Sequence, residues 1–102
     1  MTVNDTLGER GSKYGSYEEM AQISQQLKRV VTNYNGYHNL SDVQRESISM
    51  IFSKIARAIS GDPNYVDNWH DIAGYATLVE KTLTSKQQSL TSAGSVDTMQ
   101  GQ

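Results

Sequence analysis

Apolar residues recur along this chain at the spacing of helices rather than strands. From Ser16 onward, Met20, Ile23, Leu27, Val30, Val31 and Tyr34 fall mostly three and four positions apart, the stripe of a helix with one buried face. The run Ser16-Tyr17-Glu18-Glu19 opens it with a capping-box pattern, a serine and a glutamate three residues on that can satisfy each other's free N–H groups. Asn33, Asn35 and Gly36 close it. A second helix starts in the same way at Ser41 with Gln44, carries Ile48, Ile51, Phe52, Ile55 and Ile59 on one face, and stops at Gly61. After the turn Gly61-Asp62-Pro63-Asn64-Tyr65, which holds the chain's one proline, a third helix carries Trp69, Ile72, Ala73, Ala76, Val79 and Leu83 as its core stripe. The pattern predicts an all-α, small three-helix domain with helices at roughly 16–34, 41–60 and 66–84.

Outside these helices the composition changes. Residues 1–15 form a glycine-rich basic segment, and residues 85–102, rich in Ser, Thr, Gln and Gly, read as a flexible polar tail. That leaves a folding unit from about Leu7 to Leu83, a size at which one core is marginal, so a homo-oligomer is expected. With no cysteine in the chain, disulfides, thiolate metal sites and cysteine nucleophiles are excluded. No apolar run approaches a membrane span and no signal-peptide pattern opens the sequence. A soluble protein with no membrane partner, remaining in the compartment where it is made, is the expectation. The net charge of -2 gives no general attraction to bulk nucleic acid.

Candidate chemistry concentrates in a few places. Arg10 and Lys13 lie among glycines that lead into a helix start, where free N–H groups and the helix dipole favour anions. Lys54 and Arg57 stand on the flank of the second helix, either solvated with their stems on the core edge or facing the third. On the third helix Asp67, Asp71, Gly74 and Leu78 line up at spacings of four, three and four. A glycine inside a helix costs up to ~1 kcal/mol relative to alanine, so Gly74 suggests close approach of another helix or a ligand. Asp67 and Asp71 could pair with Lys54 or Arg57, or hold a hydrated Mg²⁺ with help from Glu46. Tyr14, Tyr17, Tyr65 and Tyr75 offer stacking surfaces with polar tips. His38 and His70 sit apart on different elements and read as surface or hydrogen-bonded residues rather than metal ligands.

The order of these residues is also familiar. Glu9-Arg10, Tyr14-Gly15 with Tyr17, Asp42-Val43-Gln44-Arg45-Glu46, Lys54-Ile55-Ala56-Arg57, Gly61-Asp62-Pro63 and the block from Asp67 to Tyr75 together resemble a small domain common in tailed phages and prophages, a family of unknown function. That family is similar, more distantly, to a phage domain associated with nucleotide modification and to all-α nucleotide pyrophosphohydrolases of the MazG type. The resemblance implies a phage origin, the cytoplasm of an infected bacterial host, and a nucleotide or cyclic nucleotide as ligand. It does not carry over catalysis. MazG-type enzymes hold Mg²⁺ between ExxE and ExxD pairs, whereas here Glu18 and Glu19 are adjacent and Glu46 lacks an acidic partner three residues away.

The expectation that follows is a protein that binds a nucleotide-type ligand without turning it over and without a cofactor, sequestering a nucleotide immune signal of the host. Arg10, Lys13, Lys54 and Arg57 would contact phosphate. Tyr14, Tyr17 and Tyr75 would supply base platforms, with Asp67 and Asp71 in the same site. A Mg²⁺-dependent nucleotide pyrophosphohydrolase and a protein–protein inhibitor of a host enzyme docking through Gly74 and Leu78 are the alternatives.

Overall fold

The computed structural model describes residues 15–94, with side chains as far as Gln87. Three α-helices make up nearly all of it: α1 (Tyr17–Thr32), α2 (Asp42–Ser60) and α3 (Val66–Gly94), with a short 3₁₀ helix at Asn35–Asn39 between the first two. No strand occurs among the described residues. The all-α, three-helix expectation therefore holds.

The helix starts are built as their sequences dictate. Ser16 Oγ accepts from the Glu19 backbone N–H at 3.3 Å, and Glu18 and Glu19 place negative charge at the positive end of α1. At α2 both halves of the capping box form. Gln44 N–H donates to Ser41 Oγ at 3.1 Å, and Ser41 N–H donates to Gln44 Oε1 at 2.9 Å. The turn into α3 is tied by Asn64 N–H to Asp62 Oδ1 at 2.9 Å and by Trp69 Nε1–H to the Pro63 carbonyl at 2.8 Å. Pro63 and Asp62 thus fix the turn through fixed φ and a side-chain-closed loop.

Three sequence expectations need correction. Helix α1 stops at Thr32 rather than Tyr34, with Asn33 as its C-cap, because the chain turns at once into the 3₁₀ helix. There Arg45 of α2 donates to the His38 carbonyl at 2.8 Å and lies over the Tyr37 ring. Helix α3 runs to Gly94 instead of ending near Thr84, since nothing from Ser85 to Ala93 breaks a helix. The first half of the expected flexible tail is therefore helical, and Ser95 to Gln102 lie outside the described residues.

The third correction concerns which side of α3 is buried. Asn68 is 1% exposed, and Asp71, Ile72, Tyr75, Val79 and Thr82 are half-buried, a stripe at helical spacing. Of the expected stripe, Trp69, Ala73, Ala76 and Leu83 are exposed. One residue rotates a helix by about 100°. The burial therefore picks a face one position back from the one that hydrophobicity favours, sharing only Ile72 and Val79.

The packing explains this. Helix α2 is central: α1 packs along one flank and α3 along the other, while α1 and α3 do not pack as a pair. Every residue of α2 from Ser47 to Ala58 is buried or half-buried, more than one apolar stripe would require. The outer helices give only one side each to α2. Among the described residues the buried apolar side chains are Met20, Ala56 and Ala58. Gly15 joins the layer at one end. Its φ is +77°, and a Cβ there would overlap the Ser60 carbonyl. A glycine is therefore needed both for the left-handed backbone and for the close approach.

Candidate functional site

Helices α2 and α3 run as a hairpin, which brings the second half of one beside the first turns of the other. Lys54 Nζ lies 2.8 Å from Asp71 Oδ2, with side chains 14% and 39% exposed. The Lys54 hydrogen bond, reinforced by the charges of Lys54, His70 and Arg57, holds the Asp71 carboxyl below its ordinary range against an opposing cost of desolvation. Arg57, one turn after Lys54, therefore acts on the same carboxylate. Of the two readings left open for these side chains, pairing across the helices is seen for Lys54 and Asp71.

Asp71 is also one wall of a shallow groove. His70, Asp71, Gly74, Tyr75 and Leu78 line a hollow of about 300 Å³ on the flank of α3, the lower end of the size range of small-molecule sites. Its lining is mostly apolar, from the Tyr75 ring, Leu78 and the bare backbone at Gly74. The imidazole of His70 and the Lys54–Asp71 pair supply polar groups at one edge. Among the described residues, nothing outside Gly74's own helical turn comes within 4 Å of where its Cβ would stand. The described helices therefore leave open space over this glycine. A second, smaller hollow of about 180 Å³ lies at the other end of the hairpin, between Ser41, Val43 and Gln44 on one side and Val79, Thr82, Leu83 and Lys86 on the other.

Of the residues read from the sequence as ligand-binding, the structure brings together Lys54, Arg57, Asp71 and Tyr75. Asp67, one turn before Asp71, is exposed and accepts from the Tyr65 hydroxyl at 3.0 Å. Tyr17 is exposed at the start of α1, a helix that packs on α2 and not on α3. Arg10, Lys13 and Tyr14 lie outside the described residues. The Glu46, Asp67 and Asp71 set considered for Mg²⁺ is not assembled: among the described residues no three His, Asp or Glu side chains cluster so as to hold a metal ion. Two groups were not among the residues read as ligand-binding. His70 is exposed, as its reading as a surface or hydrogen-bonded residue allows, and also lines the groove with Gly74 and Leu78 at four-residue intervals on the same face. Asn68 gave no signal, since a polar residue on a helix reads as solvated. It is instead buried with neither Nδ2 nor Oδ1 bonded to another group.

A model of a domain of unknown function, DUF6378, matches residues 3–83. The chain belongs to this family. The match spans α1, α2 and the part of α3 that carries the groove, so the site lies within the family domain. No curated protein and no solved structure matches the chain. The DUF6378 domain comes with no assigned activity, and its role has to be argued from the chemistry of the groove. None of the described helices is long and apolar enough to cross a membrane.

Proposed function

We propose that this protein binds a nucleotide-type ligand in the groove over Gly74 and holds it without turning it over. The observation that carries the reading is the joining of an apolar, glycine-floored hollow to a charged edge in one turn of α3. A base needs a flat apolar surface with few polar groups beside it, which Tyr75, Gly74 and Leu78 supply. A phosphate needs cations, and Lys54, paired with Asp71 at that edge, and Arg57, whose charge acts on the same carboxylate, would supply them. Asp71 keeps Lys54 aimed there, and an incoming phosphate would compete with it for the ammonium. Binding without turnover is the reading that a donor set of cations and hydrogen-bonding groups at this edge supports. In the phage setting implied by the sequence resemblance, such a protein would act as a sponge, removing a nucleotide signal on which host immunity depends.

The test is incubation with a panel of mono-, di- and cyclic nucleotides, with Mg²⁺ and with EDTA, followed by filtration and chromatography of what is retained and released. A ligand retained in EDTA and recovered intact is expected. Product formed only with Mg²⁺ would replace the sponge with a hydrolase. The matching variant is Gly74→Leu, which fills the groove from open space and improves helix propensity by about 1 kcal/mol. It should keep or raise thermal stability and lose retention; retention equal to the parent's would move the ligand elsewhere.

A further inference from the structure

The exposed side of α3 has its own order. Val66, Trp69, Ala73, Ala76, Glu80 and Leu83 are all exposed, Val66 by 72%, Trp69 by 52% and Leu83 by 44%. They follow one another at intervals of three, four, three, four and three, the a/d spacing of a helix seam that packs on another helix. The stripe lies on the opposite flank of α3 from the groove, with the α2-facing side between them. Among the described helices α3 packs chiefly on α2, and the stripe stays exposed, with Leu83 at its end bordering the smaller hollow against α2. Trp69 is held in place, its single polar atom already given to the Pro63 carbonyl, so its exposed ring is an apolar anchor of fixed position.

We infer that this seam is the contact for a second copy of the chain, with the two α3 helices antiparallel about a twofold axis between Ala73 and Ala76. The seam is self-complementary in that direction. Small residues, Ala73 against the partner's Ala76, meet at the centre and let the helix axes approach. Val66 meets the partner's Leu83 toward each end, an arrangement that a twofold axis requires to be the same on both copies. Glu80, the one charged seam residue, fixes the direction. A parallel pair would set the two Glu80 carboxylates against each other, whereas the antiparallel pair separates them and puts each beside the partner's Trp69. A lipid surface fits less well, since Asp67, Asp71 and Glu80 outnumber Lys81 over this stretch and interfacial helices carry basic polar faces. The inference goes beyond the ligand reading and does not depend on it.

The experiment is sedimentation equilibrium of the full chain, with circular dichroism as the check on folding. The parent should have twice the 11.3 kDa mass of the chain. Ala76→Glu and Ala73→Lys change exposed positions and should each give a monomer with unchanged helix content. An equimolar mixture of the two should return to the dimer mass, because the antiparallel contact places the new glutamate against the new lysine. A monomeric parent, a dimer that survives both substitutions, or a mixture that stays monomeric would each overturn the proposal.

Discussion

Replacing Asn68 with alanine should make the fold more stable. Asn68 is a polar side chain at 1% exposure whose Nδ2 and Oδ1 have no partner among the described residues, so folding strips water from an amide and these residues return no hydrogen bond. An unsatisfied buried polar group of this kind costs about 1–3 kcal/mol. Alanine removes it and adds roughly 0.5 kcal/mol of helix propensity. Against this stands the space the amide filled, for which a cavity of a few tens of Å³ costs about 1 kcal/mol. The net expectation is a gain of about 1–2 kcal/mol, which in a domain of this size raises Tm by about 5–15 °C.

Thermal unfolding followed at 222 nm, with urea titration to confirm an unchanged slope, reads this directly. Asn68→Asp is the opposing control, because it buries a charge at the same place and should lose several kcal/mol at neutral pH. If Asn68→Ala instead lowers stability by 1 kcal/mol or more, the amide is engaged and the argument from its isolation fails. A gain would have a further meaning. A residue that costs the fold this much and sits one turn before Asp71 is retained for something other than stability.

Two other outcomes follow from particular contacts. The Asp71 carboxyl is held below its ordinary value in the folded chain by the Lys54 hydrogen bond, so the stability it contributes is complete above that ordinary value and disappears as pH falls through the lower folded one. The Tm of the parent should therefore exceed that of Asp71→Asn at neutral pH, and the difference should close in strong acid; a difference that stays constant down to strong acid would refute the pairing. Gly15→Ala places a Cβ on the Ser60 carbonyl at a φ of +77° and should cost about 2 kcal/mol or more in urea unfolding, whereas a loss well under 1 kcal/mol would show that the end of α2 is not held by this contact.

The helices were legible because their signals are local. Ser41 and Gln44 satisfy each other three residues apart, and Pro63 with Asp62 closes a turn by itself, so no knowledge of the rest of the chain is needed. The phase of α3 was not legible for the same reason. Its apolar residues outline two neighbouring stripes that share Ile72 and Val79, and hydrophobicity alone selects the one with Trp69 and Leu83. The chain instead buries Asn68 and Thr82, because α2 occupies that side and α1 does not reach α3. The central position of α2 is a long-range fact that no window of its own sequence contains. In the site, Lys54 with Asp71 could be read as a cross-helix pair from charge and spacing, and Gly74 and Leu78 from an odd face. His70 and the openness over Gly74 depend on what the neighbouring helix leaves uncovered.

What α3 leaves uncovered also bears on how binding and self-association relate. Its α2-facing side separates the groove from the seam on one flank, and no groove residue among His70, Asp71, Gly74, Tyr75 and Leu78 belongs to the a/d set that begins at Val66, with only His70 bordering that set on the solvent side. A ligand site shared between two copies would need those sets to meet. Apart from His70 at the edge they do not, so each copy carries its own groove, with Asp71, Gly74, Tyr75 and Leu78 facing away from the partner. The dissociation is open to test in both directions. Ala76→Glu should split the dimer and still retain ligand, and Gly74→Leu should lose ligand and remain a dimer. If Ala76→Glu abolished both, the two faces would be joined in a way that the order of residues around α3 does not allow, and the assignment of the groove to a single chain would have to be given up.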